Sequence, residues 1–167
     1  MRQGLFKKIS SIGILILIFG AIGMTSLSGS ISVVAAGVTI YVDDDNISGP
    51  WDGSLANPYQ NITSGLAQAS NGDTVYVLNG TYDENVVVDK SVVLKGDSKP
   101  VVVGTGVLNS RGIDIIVNNV TVEGFNITNS YFGIYTNASG FSITNNVFWH
   151  DSYGFYWYIS ESSLAER

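Results

Sequence analysis

Residues 112–160 repeat at a period of 21. Gly112, Gly133 and Gly154 are spaced by that step, and the same step carries Ile113 onto Ile134 and Phe155, Val120 onto Phe141, Val122 onto Ile143 and Ile127 onto Phe148. A short period of alternating apolar residues calls for stacked coils of β-structure, each burying its apolar face against the next. The step also exchanges Gly and Asn: Asn119 falls on Gly140, and Gly124 on Asn145. These two residue types best tolerate a left-handed backbone, so two corners of each repeat are expected at positive φ.

Each repeat holds three short alternating runs, Ile113–Val117, Val120–Val122 and a weaker one around Ile127. Strands rise ~3.3 Å per residue and neighbours lie ~4.8 Å apart. Three such strands with tight corners close one triangular turn, and the next turn pairs with it in parallel and in register. The expected fold is therefore all-β, a parallel β-helix. The Leu-x-x-Leu-x-Leu frame of leucine-rich repeats is absent, and propeller blades are about twice as long. An ordinary β-sandwich with a chance period is the alternative.

The first 36 residues read as a signal peptide. Arg2, Lys7 and Lys8 form a basic start, Ile12–Gly23 is an uncharged apolar run, and Val34-Ala35-Ala36 resembles a cleavage site. The run is short for a spanning helix, which needs about 20 apolar residues. Contact with a membrane is expected only through this leader if it is retained. From Gly37 onward the chain has five basic residues and 14 carboxylates, a net charge of −9. A surface this acidic repels phosphate backbones, so nucleic-acid binding is not expected. Without Cys there is no disulfide framework and no thiolate metal site.

After the leader, 37–73 reads as a strand (Val38–Val42), an acidic loop and a capping helix, and 74–160 as the coils. Residues 161–167 form a tail. The loop holds Asp43, Asp44, Asp45 and Asp52. Counting from Asp43, Ile47 and Ser48 break the EF-hand frame, leaving a solvated acidic loop or a non-EF calcium site built from several of these four carboxylates. Asn61–Ser70 is the helix, with Ile62, Leu66 and Ala69 on one face and Asn71-Gly72 as its stop. It would cover the open end of the first coil. Further strands are expected at Val75–Val77, Val86–Val88, Val92–Leu94 and Val101–Val103, with turns at Asn79-Gly80, Asp89-Lys90 and Gly96-Asp97. Val92, Leu94 and Gly96 match Val120, Val122 and Gly124 after a step of 28, one coil plus seven residues that are assigned to a loop at Gly104–Ser110.

The Tyr41-Val42-Asp43 strand, the Asn57-Pro58-Tyr59-Gln60-Asn61-Ile62 lead into the helix, Gly72-Asp73-Thr74 and Gly80-Thr81-Tyr82 resemble the N-terminal part of right-handed parallel β-helix proteins of the pectate-lyase-like superfamily. The likeness covers about Thr39–Ser160 and is strongest with secreted and surface-layer-associated members, many of them archaeal. It implies a right-handed coil and a secreted or cell-surface place, with polysaccharide or cell-envelope components as partners. It also implies two functions. The first is a surface module, structural or carbohydrate-binding. The alternative is a polysaccharide lyase or related glycan-degrading enzyme, which would need calcium and a Lys or Arg base. Arg111, with Asp114 three residues on, is the sole interior arginine, and no column of carboxylates stacks on Asp114, so no catalytic residue is assigned. The copper chemistry of one branch lacks its ligands, because after the leader there is one His and neither Cys nor Met. That His150 reads as a surface side chain beside Asp151.

The register sends Ile113, Ile134 and Phe155 inward as one column and Ile115, Thr136 and Trp157 as another. Tyr135 and Tyr156 then stack outside, with Asn137 and Tyr158 two residues further on. Tyr135, Tyr156 and Tyr158 are thus the candidate sugar-binding strip. Six Asn-x-Ser/Thr sites, Asn46, Asn61, Asn79, Asn119, Asn126 and Asn137, are glycosylation candidates. They also suit β-helix corners, which favour the same residues. The apolar run Phe155–Ile159 has no evident cap after it, which reads as a chain that continues in a longer protein, or as an end covered by a partner or a second copy.

Overall fold

The structure, a computed structural model, describes residues 37–159. The expected signal peptide and the 161–167 tail lie outside the described residues. Within them the elements are β1 (Thr39–Val42), α1 (Ile62–Gln68), β2 (Thr74–Val77), β3 (Thr81–Tyr82), β4 (Val86–Val88), β5 (Val93–Gly96), β6 (Val101–Val103), β7 (Arg111–Ile115), β8 (Thr121–Glu123), β9 (Asn126–Thr128), β10 (Phe132–Thr136), β11 (Ser142–Thr144), β12 (Val147–Trp149) and β13 (Tyr153–Trp157). Among these residues no helix is long and apolar enough to cross a membrane.

Every third strand returns to the same sheet. The sheets run β1-β2-β5-β8-β11, β3-β6-β9-β12 and β4-β7-β10-β13, and every ladder is parallel. From β2 on, four three-strand coils stack into an all-β parallel solenoid, and β1 extends the first sheet by one strand. The step of 21 is the pairing register itself: Ile113, Ile134 and Phe155 are mutual partners, as are Ile115, Thr136 and Trp157. Side chains inside one coil meet equivalent side chains above and below, which is why Val122, Ile127 and Ile134 are fully buried.

The Gly/Asn corners behave as the residue types require. Asn119 and Gly140 sit at φ +60° and +66°, and Gly124 and Asn145 at +85° and +53°. The glycines spaced by 21 serve a different need. A Cβ on Gly112 would lie 2.7 Å from the carbonyl oxygen of Gly133, and one on Gly133 would lie 2.6 Å from that of Gly154. This column is glycine because the backbones of adjacent coils come too close there for a Cβ.

Three expectations need correction. The helix ends at Gln68, short of Ser70. The buried Asp73 carboxylate accepts the Ser70 amide at 2.8 Å and the Val38 amide at 2.9 Å, which draws the chain out of the helix. Gly72, at φ +93°, therefore serves the turn beyond it and does not cap α1. Second, the strand expected at Val92–Leu94 runs from Val93 through Gly96, so Gly96 ends a strand and does not open a turn. Third, the seven extra residues do not all lie in 104–110. Leu94 pairs with Val122 at a step of 28, but Val102 pairs with Ile127 at a step of 25. Three of the extra residues thus swell the β5–β6 corner, where Ser98 and Lys99 take φ +56° and +65°.

The helix packs on β1, β2 and β4 through Ile62 and Leu66, with Ala69 just past its end also buried. Gly65 lets it come close, since a Cβ there would lie 2.6 Å from Val42 Cγ2. Asn61 caps the helix by accepting the Ser64 amide at 2.8 Å. Glu84 fills the rest of that end, its carboxylate accepting the Ile62 and Thr63 amides at 2.7 and 2.9 Å.

Candidate functional site

The outer face of the β4-β7-β10-β13 sheet gathers the aromatic side chains. Tyr135 and Tyr156 stack with ring centroids 5.8 Å apart and planes 11° from parallel. Parallel in-register pairing forces this, because equivalent outward residues of neighbouring coils stand one strand spacing apart. Arg111 extends the ladder toward the helix end. Its guanidinium lies 3.8 Å from the centroid of Tyr135 and donates to Asp114 Oδ2 at 2.5 Å. So the interior arginine is engaged on two sides, by a carboxylate and by a ring face.

The strip is broader than simple alternation suggests. Phe132 shares sequence parity with the inward Ile134, yet it lies outside, stacked on Tyr153 at 5.4 Å and tilted against Tyr135 and Tyr156. Tyr131 meets both Phe132 and Tyr153 edge-on. The reason is local. Gly133 and Ile134 are buried in succession, which shifts the preceding residue to the other face. The paired glycines at 133 and 154 were the available signal. Tyr158 and Asn137 are exposed at the far end of these strands. Phe155 and Trp157 occupy the inward columns but remain 41% and 47% exposed, with Phe141 packed against the two rings at 5.5 and 5.3 Å.

Coil-to-coil side-chain bonds at the same step escaped the sequence reading. Asn118 accepts the Ser139 amide, Asn146 that of Phe125, Asp151 that of Ser130 and Ser110 that of Tyr131, each between residues 21 apart. Thr136 spans the same step inside the coil, its hydroxyl donating to the Ile115 carbonyl at 2.9 Å. These bonds satisfy corner amides that no ladder reaches. Burial pushes the Asp151 carboxyl above its ordinary value, while the bond from the Ser130 amide and the neighbouring His150 pull it back. His150 itself sits at a corner, at φ +56°, edge-on to Trp149.

In the acidic loop, oxygens of Asp43, Asp44 and Asp45 lie within 4.8 Å of one another. Asp52 does not join them; it accepts from the Ser54 amide and from Asn57 Nδ2, at 2.9 and 3.0 Å. These bonds, led by Ser54, hold its carboxyl below its ordinary value. Asp44 reaches the next coil, accepting the Thr81 amide at 2.8 Å. Calcium takes about six to eight oxygens, so the three carboxylates offer part of a shell. Among the six sequons, Asn61, Asn79, Asn119 and Asn137 are exposed, whereas Asn46 and Asn126 are half-buried.

No protein-family model and no solved structure matches the chain. Over 78 residues it is 38% identical to a cell surface glycoprotein of Methanothermus fervidus. That match spans 46% of this chain and 13% of the relative, so the chain corresponds to a small part of a much longer protein's length.

Proposed function

We infer that the chain is a module of a cell-surface glycoprotein, secreted and displayed at the cell envelope. The observation that carries this is the 38% identity over 78 residues to a protein of that kind. Four exposed sequon asparagines agree with a glycosylated surface. The coil is read as right-handed, since parallel crossover connections take that hand in the great majority of cases. Its kind is the pectate-lyase-like β-helix that the Tyr41–Asp43 and Gly72–Thr74 motifs resemble.

The module's role is structural, with glycan contact on the outer aromatic face. Stacked tyrosines present flat apolar rings edged by hydroxyls, a surface matched to the C–H face and hydroxyl rim of a sugar. Membrane-impermeant biotin applied to intact cells of the source organism should label the chain at Lys95, whose side chain is 45% exposed; labelling only after lysis overturns the surface reading. Retention on an affinity gel of envelope polysaccharide should fall when Tyr135 and Tyr156 are both replaced by Ala. Unchanged retention in that folded double variant would leave the ladder a device of sheet stability alone.

A further inference from the structure

At the helix end, well away from the tyrosine ladder in sequence, a pocket of about 330 Å³ is lined by Trp51, Tyr59, Gln60, Asn61, Ser64 and Gln68. Its aromatic wall is held in place. The Trp51 indole donates to the Asn46 carbonyl at 2.8 Å and rests on Gly49, where an added Cβ would lie 3.2 Å from the ring. The indole is nonetheless 49% exposed. Asn46 in turn is fixed by donating to the Pro50 and Pro58 carbonyls at 3.2 and 2.8 Å. Tyr59 is anchored through its backbone to Tyr41 and Asp43 of the first strand and its end.

The rim is polar and uncharged. The amides of Gln60 and Gln68, the hydroxyl of Ser64 and the Asn61 Nδ2 make no hydrogen bond with any described residue; the Asn61 Oδ1 caps the helix. The helix-end amides that would attract an anion are taken by Glu84 and Asn61. The nearby Asp52 is engaged by Ser54 and Asn57. A rigid aromatic wall facing several unengaged amides and a hydroxyl, with no charge, selects a neutral ligand having one apolar face and many hydroxyls.

We propose that the Trp51–Tyr59 pocket is a binding site for a single neutral sugar residue. The sugar has two sources. One is a free glycan end. The other, which rests on the glycoprotein reading, is the first sugar of a chain carried on Asn61. There, transfer from a phosphate-linked sugar donor joins sugar C1 to Nδ2, with the phosphate and one amide proton leaving, and Oδ1 keeps its cap.

The test is nuclear magnetic resonance of the Trp51 indole N–H, assigned by its loss in Trp51→Ala. In chain made in a bacterium, glucose, galactose and N-acetylglucosamine are titrated in turn. At least one should give a saturable shift of that signal, and Gln68→Ala should weaken it severalfold with an unchanged circular dichroism spectrum. In glycosylated chain from the source organism, Asn61→Asp keeps the cap and removes the acceptor, and should move the same signal. A shift in the first arm alone identifies a free glycan, and one in the second alone the attached sugar. An unmoved Trp51 signal in both arms overturns the proposal. Because the Tyr135→Ala/Tyr156→Ala chain should give the same Trp51 shift, failure here and failure of the outer aromatic face are read separately.

Discussion

At the helix end of the solenoid Ile40 and Val42 are 8% and 0% exposed; at the other end Phe155 and Trp157 are 41% and 47% exposed. Both pairs are inward residues of parallel strands, and Phe155 stands directly on the fully buried Ile134. What differs is the cover. Leu66 and Ile62 of the helix bury the first coils, while the inward rings of β13 are covered in part, by Phe141. In a stack of coils, burial is supplied by neighbours, so a residue's column sets its direction and its layer sets its energy.

That contrast is broken most severely by a charge in one column. Ile134→Asp should leave the chain unfolded, because a carboxylate without a partner in that core costs several kcal/mol. Phe155→Asp, one layer on, should stay folded and lose about 1 kcal/mol. Thermal melts and protease resistance of the two variants check this, and equal melting temperatures would mean the columns are misread.

Truncation sharpens the same comparison with a smaller effect. Leu66→Ala opens a cavity under the helix and should cost ~2–5 kcal/mol. Trp157→Ala removes a half-exposed ring whose partner is Phe141, and should cost about 1–2 kcal/mol despite the larger side chain. Urea midpoints at constant slope report both values; a larger loss for Trp157 would show that β13 is covered in solution.

The smallest effect distinguishes one carboxylate at each end. Burial raises Asp151 above the reference value of 3.8. The folded state then holds the proton more tightly, so its contribution is fully present below that reference and is lost as pH rises through the raised value. Asp52 is lowered by its bonds from Ser54 and Asn57, so its contribution is present above the reference of 3.8 and lost as pH falls through the lowered value. Relative to wild type, Asp151→Asn should gain stability as pH rises through the acid range, and Asp52→Asn should lose it. Melting curves across the carboxylate range, from about pH 2 to about pH 6, give the two signs, and equal signs would refute the assignment.

Much of this was legible beforehand because a solenoid repeats its own pairing. The step of 21 became the register of β7, β10 and β13, and the Gly/Asn exchange became two positive-φ corners, since only those residues enter that region at low cost. The stacking of Tyr135 on Tyr156 follows from the same step. The buried helix face of Ile62 and Leu66 was readable from spacing alone, whereas Ala69 is buried just past the helix end.

What lay beyond the sequence is whatever depends on contact between positions that share no period. Asp73 ended the helix early by binding Ser70 and Val38, residues on either side of the first coil. Phe132 left its expected face because Gly133 and Ile134 both turned inward against the coil above. The extra residues divided between two corners because β6 had to keep its pairing with β9. The pocket at the helix end joins Trp51 of a loop to Gln68 of a helix, brought together only when α1 settles on β1. A period prescribes which residues repeat a neighbour's environment; three-dimensional packing alone decides the environment that is repeated.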